Sequence, residues 1–343
     1  MLNPKATQQS TVSSSGSENS VQKAAHTSSC PACLLVSSEP SHETFYSFTL
    51  HACPHCGLHY WEPRNLPDSG WYQRMYHGRD VRLMPLEPGH RLFLRDPKAP
   101  RAGSLLDIGC GTGNFLVAAQ KAGYAVTGTE LDPSAARFAS EKCGLPRVLS
   151  FTLAQFVDQY PDEKFDVVTF FEVLEHQADP FRFLSNARSC LRPGGCIALS
   201  VPNRRRWRVG LDPIDYPPNH FLRWDAPSLR RFLEARGFEI LTLYEQPAGI
   251  SYTAQMINVS LRTGISRAVV PDLPPVFRDT IQEKGDWDMQ ASLRDPSARR
   301  RIFEALSSLK FAACFPLAVL WMPVVRLRGY RDAFLYCLAR KKD

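Results

Sequence analysis

Three groups of residues in this chain have the types and spacing that chemistry requires. The first is glycine-rich. LLDIGCGTGNF, residues 105–115, is an apolar run that enters a turn holding Gly109, Gly111 and Gly113. GYAVTGTELDPS, residues 123–134, follows and ends its own apolar run on Glu130, about 20 residues past the glycines, where a ribose-binding acid is expected. Glycines let backbone approach a ligand, and an acid ending the next strand accepts hydrogen bonds from ribose hydroxyls, so the pattern fits a nucleoside. It fits a dinucleotide less well. The GxGxxG fingerprint needs a third glycine where this chain has Asn114. Asp107, heading the turn, would repel a pyrophosphate and attract a sulfonium or amino group.

The second group is four cysteines in two CxxC pairs, Cys30–Cys33 and Cys53–Cys56, separated by a β-prone aromatic stretch, HETFYSFTLHA. Each pair aims two sulfurs at one point, and two pairs complete a tetrahedral Zn²⁺ site. Four thiolates leave no open coordination position, which makes the site structural, and in so small a module the metal should supply the folding energy. On that reading, removing zinc unfolds residues 30–60 and spares the rest. An iron–sulfur site or metal-free CxxC turns are the alternatives. His51, His55 and His59 read as surface or packing residues beside the second pair. The third group is two loop histidines that can take a proton near neutral pH. His176 ends EVLEH, and His220 lies in DYPPNHFLRW.

These residues need a scaffold. SLLDIG, YAVTGTEL, FDVVTFF and CIALSVPN read as buried strands, apolar on both sides. The helical runs between them start and stop where expected. One begins at Asp132-Pro133, and DPFRFLSNARSCLRPGG reads as a helix closed by Gly194-Gly195. A helix over DAPSLRRFLEARG, a strand FEILTLYEQ and a last strand DAFLYCLARKK follow. Strands alternating with helices predict an α/β fold whose ligand crevice lies at the carboxyl ends of a mostly parallel sheet.

Residues 103–203 resemble the core of the class I S-adenosylmethionine-dependent methyltransferases. DIGCGTG resembles their first motif, Glu130 the acid on the ribose, FDVVTFFEVLEH the fourth strand and its loop, and LRPGGCIALSVPN the fifth strand with its approach. The resemblance implies a seven-stranded sheet with helices on both faces and its last strand antiparallel. It implies S-adenosyl-L-methionine as cofactor, held by Asp107, Gly109, Gly111, Gly113 and Glu130. Thr152 or Gln155 stands near the adenine position, without the acid or amide often found there. Glu172 is a candidate for the methionine amino group. Methyl transfer needs alignment and, for an OH, NH or CH acceptor, a base; His220 is the preferred base and His176 the alternative.

The resulting organisation is a disordered Ser/Thr/Gln-rich tail (1–28), a zinc-ribbon-like module (29–62), and a linker with a cofactor-covering helix bearing Tyr72 and Tyr76 (63–100). The methyltransferase domain (101–343) carries a helical insertion at 250–330. The net charge of +7 and the run Asn203–Arg208 favour an anionic acceptor. A small-molecule, sugar or lipid-linked substrate ranks above RNA or protein, and a noncatalytic cofactor-binding scaffold is the remaining reading. The uncharged run Phe311–Val325 reads as a lid, a dimer surface or a peripheral membrane anchor. Scattered cysteines and the lack of a basic-then-apolar start suggest the cytoplasm, with possible peripheral contact at the inner face of a membrane.

Overall fold

A computed structural model describes residues 28–37, 40–65, 82–206, 215–258 and 298–342. Most of the N-terminal tail, Tyr72, Tyr76, Trp207, Arg208 and residues 259–297 of the insertion lie outside the described residues.

Strands are numbered in chain order. The core sheet contains β6 (Gly103–Ile108), β7 (Tyr124–Thr129), β8 (Val148–Leu149), β9 (Phe165–Phe171), β10 (Leu191–Pro202), β12 (Phe238–Pro247) and β13 (Arg331–Lys341). Their order across the sheet is β12-β13-β10-β9-β6-β7-β8. β6, β7, β8, β9 and β10 pair in parallel, and β13 enters antiparallel between β10 and β12. This is the seven-stranded arrangement expected of the class I fold. The centre is buried on both faces: Leu105, Leu106, Val167, Val168, Ile197 and Leu199 have no exposed surface.

Helices start where the sequence supplies caps. Asp132 accepts from the Ser134 N–H ahead of helix Pro133–Glu141, and Asp225 from the Ser228 N–H ahead of helix Ala226–Glu234. One boundary differs from expectation. The helix beginning at Pro180 stops at Ser189 rather than running to Gly194. The Phe165 N–H takes the Cys190 carbonyl and Leu191 pairs with Phe165, so the sheet claims the chain early. A register shift between Leu191 and Cys196, with Gly194 at φ +68°, absorbs the extra residues.

The cysteine segment forms β1 (Ser28–Ser29), β2 (Val36–Ser37), β3 (Pro40–Phe45), β4 (Phe48–Ala52) and β5 (His59–Glu62). The aromatic stretch folds into the expected antiparallel ribbon. A fourth strand joins it from far along the chain: β11 (Leu222–Arg223) pairs antiparallel with β5, Leu222 facing Tyr60. The Trp61 N–H donates to the Phe221 carbonyl at 2.9 Å. One continuous buried cluster runs from Cys30, Cys53 and Cys56 through Trp61, Phe221 and Trp224 to Leu199 in the core sheet. The ribbon therefore packs on the large domain, and its outer strand holds the residues just after His220.

Candidate functional site

The glycine turn sits between β6 and helix Asn114–Lys121. Gly109, Gly111 and Gly113 have φ of +73°, +55° and +81°, a region that side chains with a Cβ rarely adopt. At Gly113 a Cβ would also meet Leu145 Cδ1 at 2.5 Å, whereas nothing lies within 4 Å of the corresponding point at Gly111. The turn is packed behind and open in front, which leaves room for a ligand along the backbone.

Glu130, at the end of β7, spans that opening. Its Oε2 accepts from the Gly111 N–H at 2.8 Å and its Oε1 from the Asp132 N–H at 2.9 Å. Asp107 is buried and accepts from Thr169 Oγ1 at 2.6 Å. Burial pushes its carboxyl from the ordinary 3.8 up to about 8. Glu172 follows β9 with φ +54°, a left-handed conformation uncommon outside glycine. It accepts from Ser200 Oγ at 2.7 Å, and burial lifts it to about 7. Burial raises Glu130 and Glu87 as well. Asp107 feels Glu130 and Glu87 as like charges, and Glu172 feels Glu87. Buried carboxyls that feel one another as like charges, with Glu130 bonded to the open glycine turn, would favour a cationic ligand. S-adenosylmethionine carries a sulfonium, an ammonium and a ribose, and these residues fit all three.

Glu87 is absent from the sequence-based set. It precedes helix Pro88–Arg95, and its N–H donates to His90 Nδ1 at 3.1 Å. Gly89 lets that helix sit against the sheet, since a Cβ there would meet Ser200 at 2.9 Å. The signal was the acid ahead of Pro88-Gly89, a helix start pointing at the crevice. Leu131, 40 % exposed directly after Glu130, offers an apolar surface beside that carboxylate, a feature the sequence alone does not mark. Thr152 lies at the start of helix Leu153–Gln159, where it accepts from the Gln155 N–H at 3.1 Å while Gln155 Oε1 accepts from the Thr152 N–H at 2.8 Å. Both side chains are engaged in this reciprocal cap.

The two histidines meet. Their rings are edge-on with centroids 4.7 Å apart, and Glu175, fully buried, lies 3.9 Å from His176 Nε2 and 4.0 Å from His220 Nε2. Burial and the nearby Glu172 hold Glu175 well above the usual carboxylate range. His176 Nδ1 is 2.6 Å from the Asn219 carbonyl, which makes that nitrogen the donor. Burial, and then the neighbouring His220, lower His176 to about 3, so it is a weak proton acceptor. His220 differs: its Nδ1 is 3.6 Å from Asp215 Oδ1, and Asp215 is paired with Arg206. An anion behind Nδ1 stabilises a proton gained by the ring. His220 lines a cavity of about 10 Å³, the size of one water, with Pro202, Arg204, Arg206, Asp215, Leu222 and Arg223.

The arginine run is divided. Arg206 pairs with Asp215; Arg204 pairs with Asp225 and lies 3.1 Å from His59 Nε2, tying the ribbon to the large domain. Arg205 is exposed.

Cys30, Cys33, Cys53 and Cys56 place their sulfurs within 4.8 Å of one another, with Cys30–Cys56 and Cys33–Cys53 each at 3.5 Å. Tetrahedral Zn–S bonds of about 2.3 Å put the sulfurs about 3.8 Å apart, so the cluster fits the ion. The two knuckles share a backbone pattern: the Cys30 N–H bonds the Leu35 carbonyl and the Cys53 N–H the Leu58 carbonyl. Leu34, φ +64°, occupies the position that Gly57, φ +79°, fills in the second turn. None of the ten cysteines is in a disulfide.

Comparison with known proteins gives the class of the domain this site belongs to. Residues 77–243 match a family model described as a methyltransferase domain. The chain is 33 % identical over 163 residues to a protein of Mycolicibacterium smegmatis named "Probable S-adenosylmethionine-dependent methyltransferase", covering 47 % of this chain and 60 % of that one. It is 34 % identical over 162 residues to the ubiquinone biosynthesis O-methyltransferase of Nitrobacter winogradskyi, covering 43 % and 60 %. The chain thus spans about three-fifths of the length of these curated relatives. A solved S-adenosylmethionine-dependent methyltransferase from Archaeoglobus fulgidus superposes with a TM-score of 0.45 at 17 % identity, covering 79 % of this chain and 98 % of that one. The stretch that matches a methyltransferase domain takes in the glycine turn, Glu130, Glu172 and both histidines.

Proposed function

We propose that the protein transfers the methyl group of S-adenosylmethionine to a small-molecule, sugar or lipid-linked acceptor, with His220 as the base and a structural Zn²⁺ in the cysteine cluster. The observation that supports the cofactor reading best is the open glycine turn held by Glu130, with the buried Asp107 feeling both Glu130 and Glu87. When bound, the cofactor supplies an electrophilic methyl on a cationic sulfur. Glu130 would meet the ribose hydroxyls while keeping the Gly111 N–H. Asp107 and Glu172 would face the cationic end. The acceptor side would be the loop after β10, where His220 would hold the proton given up by an acceptor hydroxyl. The relatives named for ubiquinone biosynthesis support an oxygen acceptor. Arg205 and the positive net charge support an anionic one.

For His220→Ala, turnover on the true acceptor should fall about 10²- to 10⁴-fold, with cofactor affinity unchanged. Labelled methyl donor and fractionated extract identify the acceptor, and kinetics on it provide the test. Undiminished turnover would remove His220 from the mechanism. Label recovered in RNA or protein would replace the acceptor class.

A further inference from the structure

The cysteine cluster meets the large domain through more than apolar packing. Helix Ala226–Glu234 and the turn after it send one guanidinium to each CxxC turn. Arg231, on the helix, donates from Nη1 to the Cys56 carbonyl at 3.0 Å, at the end of the second pair. Gly57 permits this approach, since a Cβ there would meet Arg231 Nη1 at 3.3 Å. Arg236, two residues past the helix, donates from Nη2 to the Ala32 carbonyl, inside the first pair. Its guanidinium carbon lies 4.3 Å from the ring centre of Phe232 and 4.7 Å from that of Phe181, which holds the planar group in place. Among the described residues these two arginines bond only to carbonyl oxygens, while their neighbour Arg230 takes Glu234 at 3.2 Å.

One Zn²⁺ among four thiolates leaves a formal excess of two negative charges. Cys30, Cys53 and Cys56 are buried, so water screens that excess poorly. Two guanidiniums match it. Burial works against the charge of Arg236, and Cys33, Cys56 and Cys30 work to hold it. Asp179 acts in the same sense but least of these, and its Oδ1 accepts from the Arg182 N–H at 2.9 Å.

We propose that Arg231 and Arg236 are positioning residues of the metal centre, which neutralise the zinc tetrathiolate and fasten both CxxC turns to the helix that follows the His220 loop. This rests on the zinc reading above. Arg236 carries the larger share: it is held against two rings and feels three of the sulfurs, whereas Arg231 is an exposed residue.

The zinc content of the full-length wild type is read first, and its zinc affinity by competition with a chelator of known strength. Arg236→Gln keeps amide donors for the Ala32 carbonyl but no charge. Arg236→Lys keeps the charge without the planar fork. The glutamine variant should bind zinc about 10- to 100-fold more weakly and let N-ethylmaleimide reach the cluster thiols faster, and lysine should restore most of both. Arg231→Gln should weaken zinc by less, and the two glutamines together by more than either. Arg230→Gln, on the same helix, should leave the affinity unchanged. An Arg236→Gln variant that holds zinc as tightly as wild type overturns the proposal. So does equal weakening by glutamine and lysine, which would make packing rather than charge the cause, or an equal loss in Arg230→Gln, which would make it a general effect of helix charge. A wild type without zinc removes the zinc reading itself and the proposal with it, whereas a zinc-loaded wild type with insensitive arginine variants removes the proposal alone.

Discussion

Stripping the metal, or replacing Cys56 with serine, is expected to have the largest effect of any small change to this protein. A structural zinc in a four-thiolate site contributes about 10–16 kcal/mol in isolated peptides, as much as the whole stability of a typical domain. Four sulfurs within 4.8 Å without an ion would leave the ribbon little to fold around. The consequence does not stop at residue 60. Arg231 Nη1 donates to the Cys56 carbonyl at 3.0 Å, and Arg236 donates to the Ala32 carbonyl. β5 pairs with Leu222-Arg223, two residues beyond His220. Loss of zinc should therefore lower the melting temperature by about 10 °C or more and reduce turnover through a displaced His220, while cofactor binding at the glycine turn, which none of these ribbon bonds reaches, persists. Elemental analysis should find one zinc per chain. A metal-free protein with an unaltered melt, or a Cys56→Ser variant as stable as wild type, would refute this assignment.

The second large effect is on the cofactor. Glu130→Ala removes a carboxylate that holds the Gly111 and Asp132 N–H groups and that, on the proposed reading, would meet the ribose. Losing a charged hydrogen bond costs about 1.5–3 kcal/mol, or about 10- to 150-fold in affinity. Glu130→Gln, which keeps an acceptor oxygen for the loop, should lie between wild type and alanine. Calorimetry reads both. Equal affinities in folded proteins would place the ribose elsewhere.

The grouping of the glycine turn with Glu130 was legible in the sequence because it is local. Asp107, three glycines and Glu130 come from two consecutive strands, and sequence spacing fixes their separation in space. The seven-stranded sheet was legible for a related reason: each strand carried its own apolar run and its own punctuation. What escaped was long-range. Nothing in DYPPNHFLRW announces that Leu222-Arg223 will extend a ribbon begun at residue 40. Arg204 pairs with Asp225 and Arg206 with Asp215, so two arginines of the run read as favouring an anionic acceptor also tie the fold together. The meeting of His176, His220 and Glu175 depends on two loops about 40 residues apart in sequence, which periodicity does not reach. Glu87 stands at a readable helix start, but nothing local tells that this helix packs against Ser200 and brings the acid within reach of Asp107. The helix end at Ser189 was misplaced because sheet pairing outweighed a local glycine signal.

The carboxyls give the central claim its most direct test. In the folded protein Asp107 holds its proton up to about 8 and Glu172 to about 7, against ordinary values of 3.8 and 4.5. Between roughly pH 4 and 8 the folded state then binds protons that the unfolded chain has released, so the ligand-free protein loses stability as pH rises through that window. A cationic ligand favours the ionised carboxylates, so its binding should release protons and tighten with pH. S-adenosylmethionine titrated into the purified protein at pH 6 and at pH 8 should bind one molecule per chain, about tenfold more tightly at the higher pH. A folded protein that takes up no S-adenosylmethionine at either pH would contradict the account.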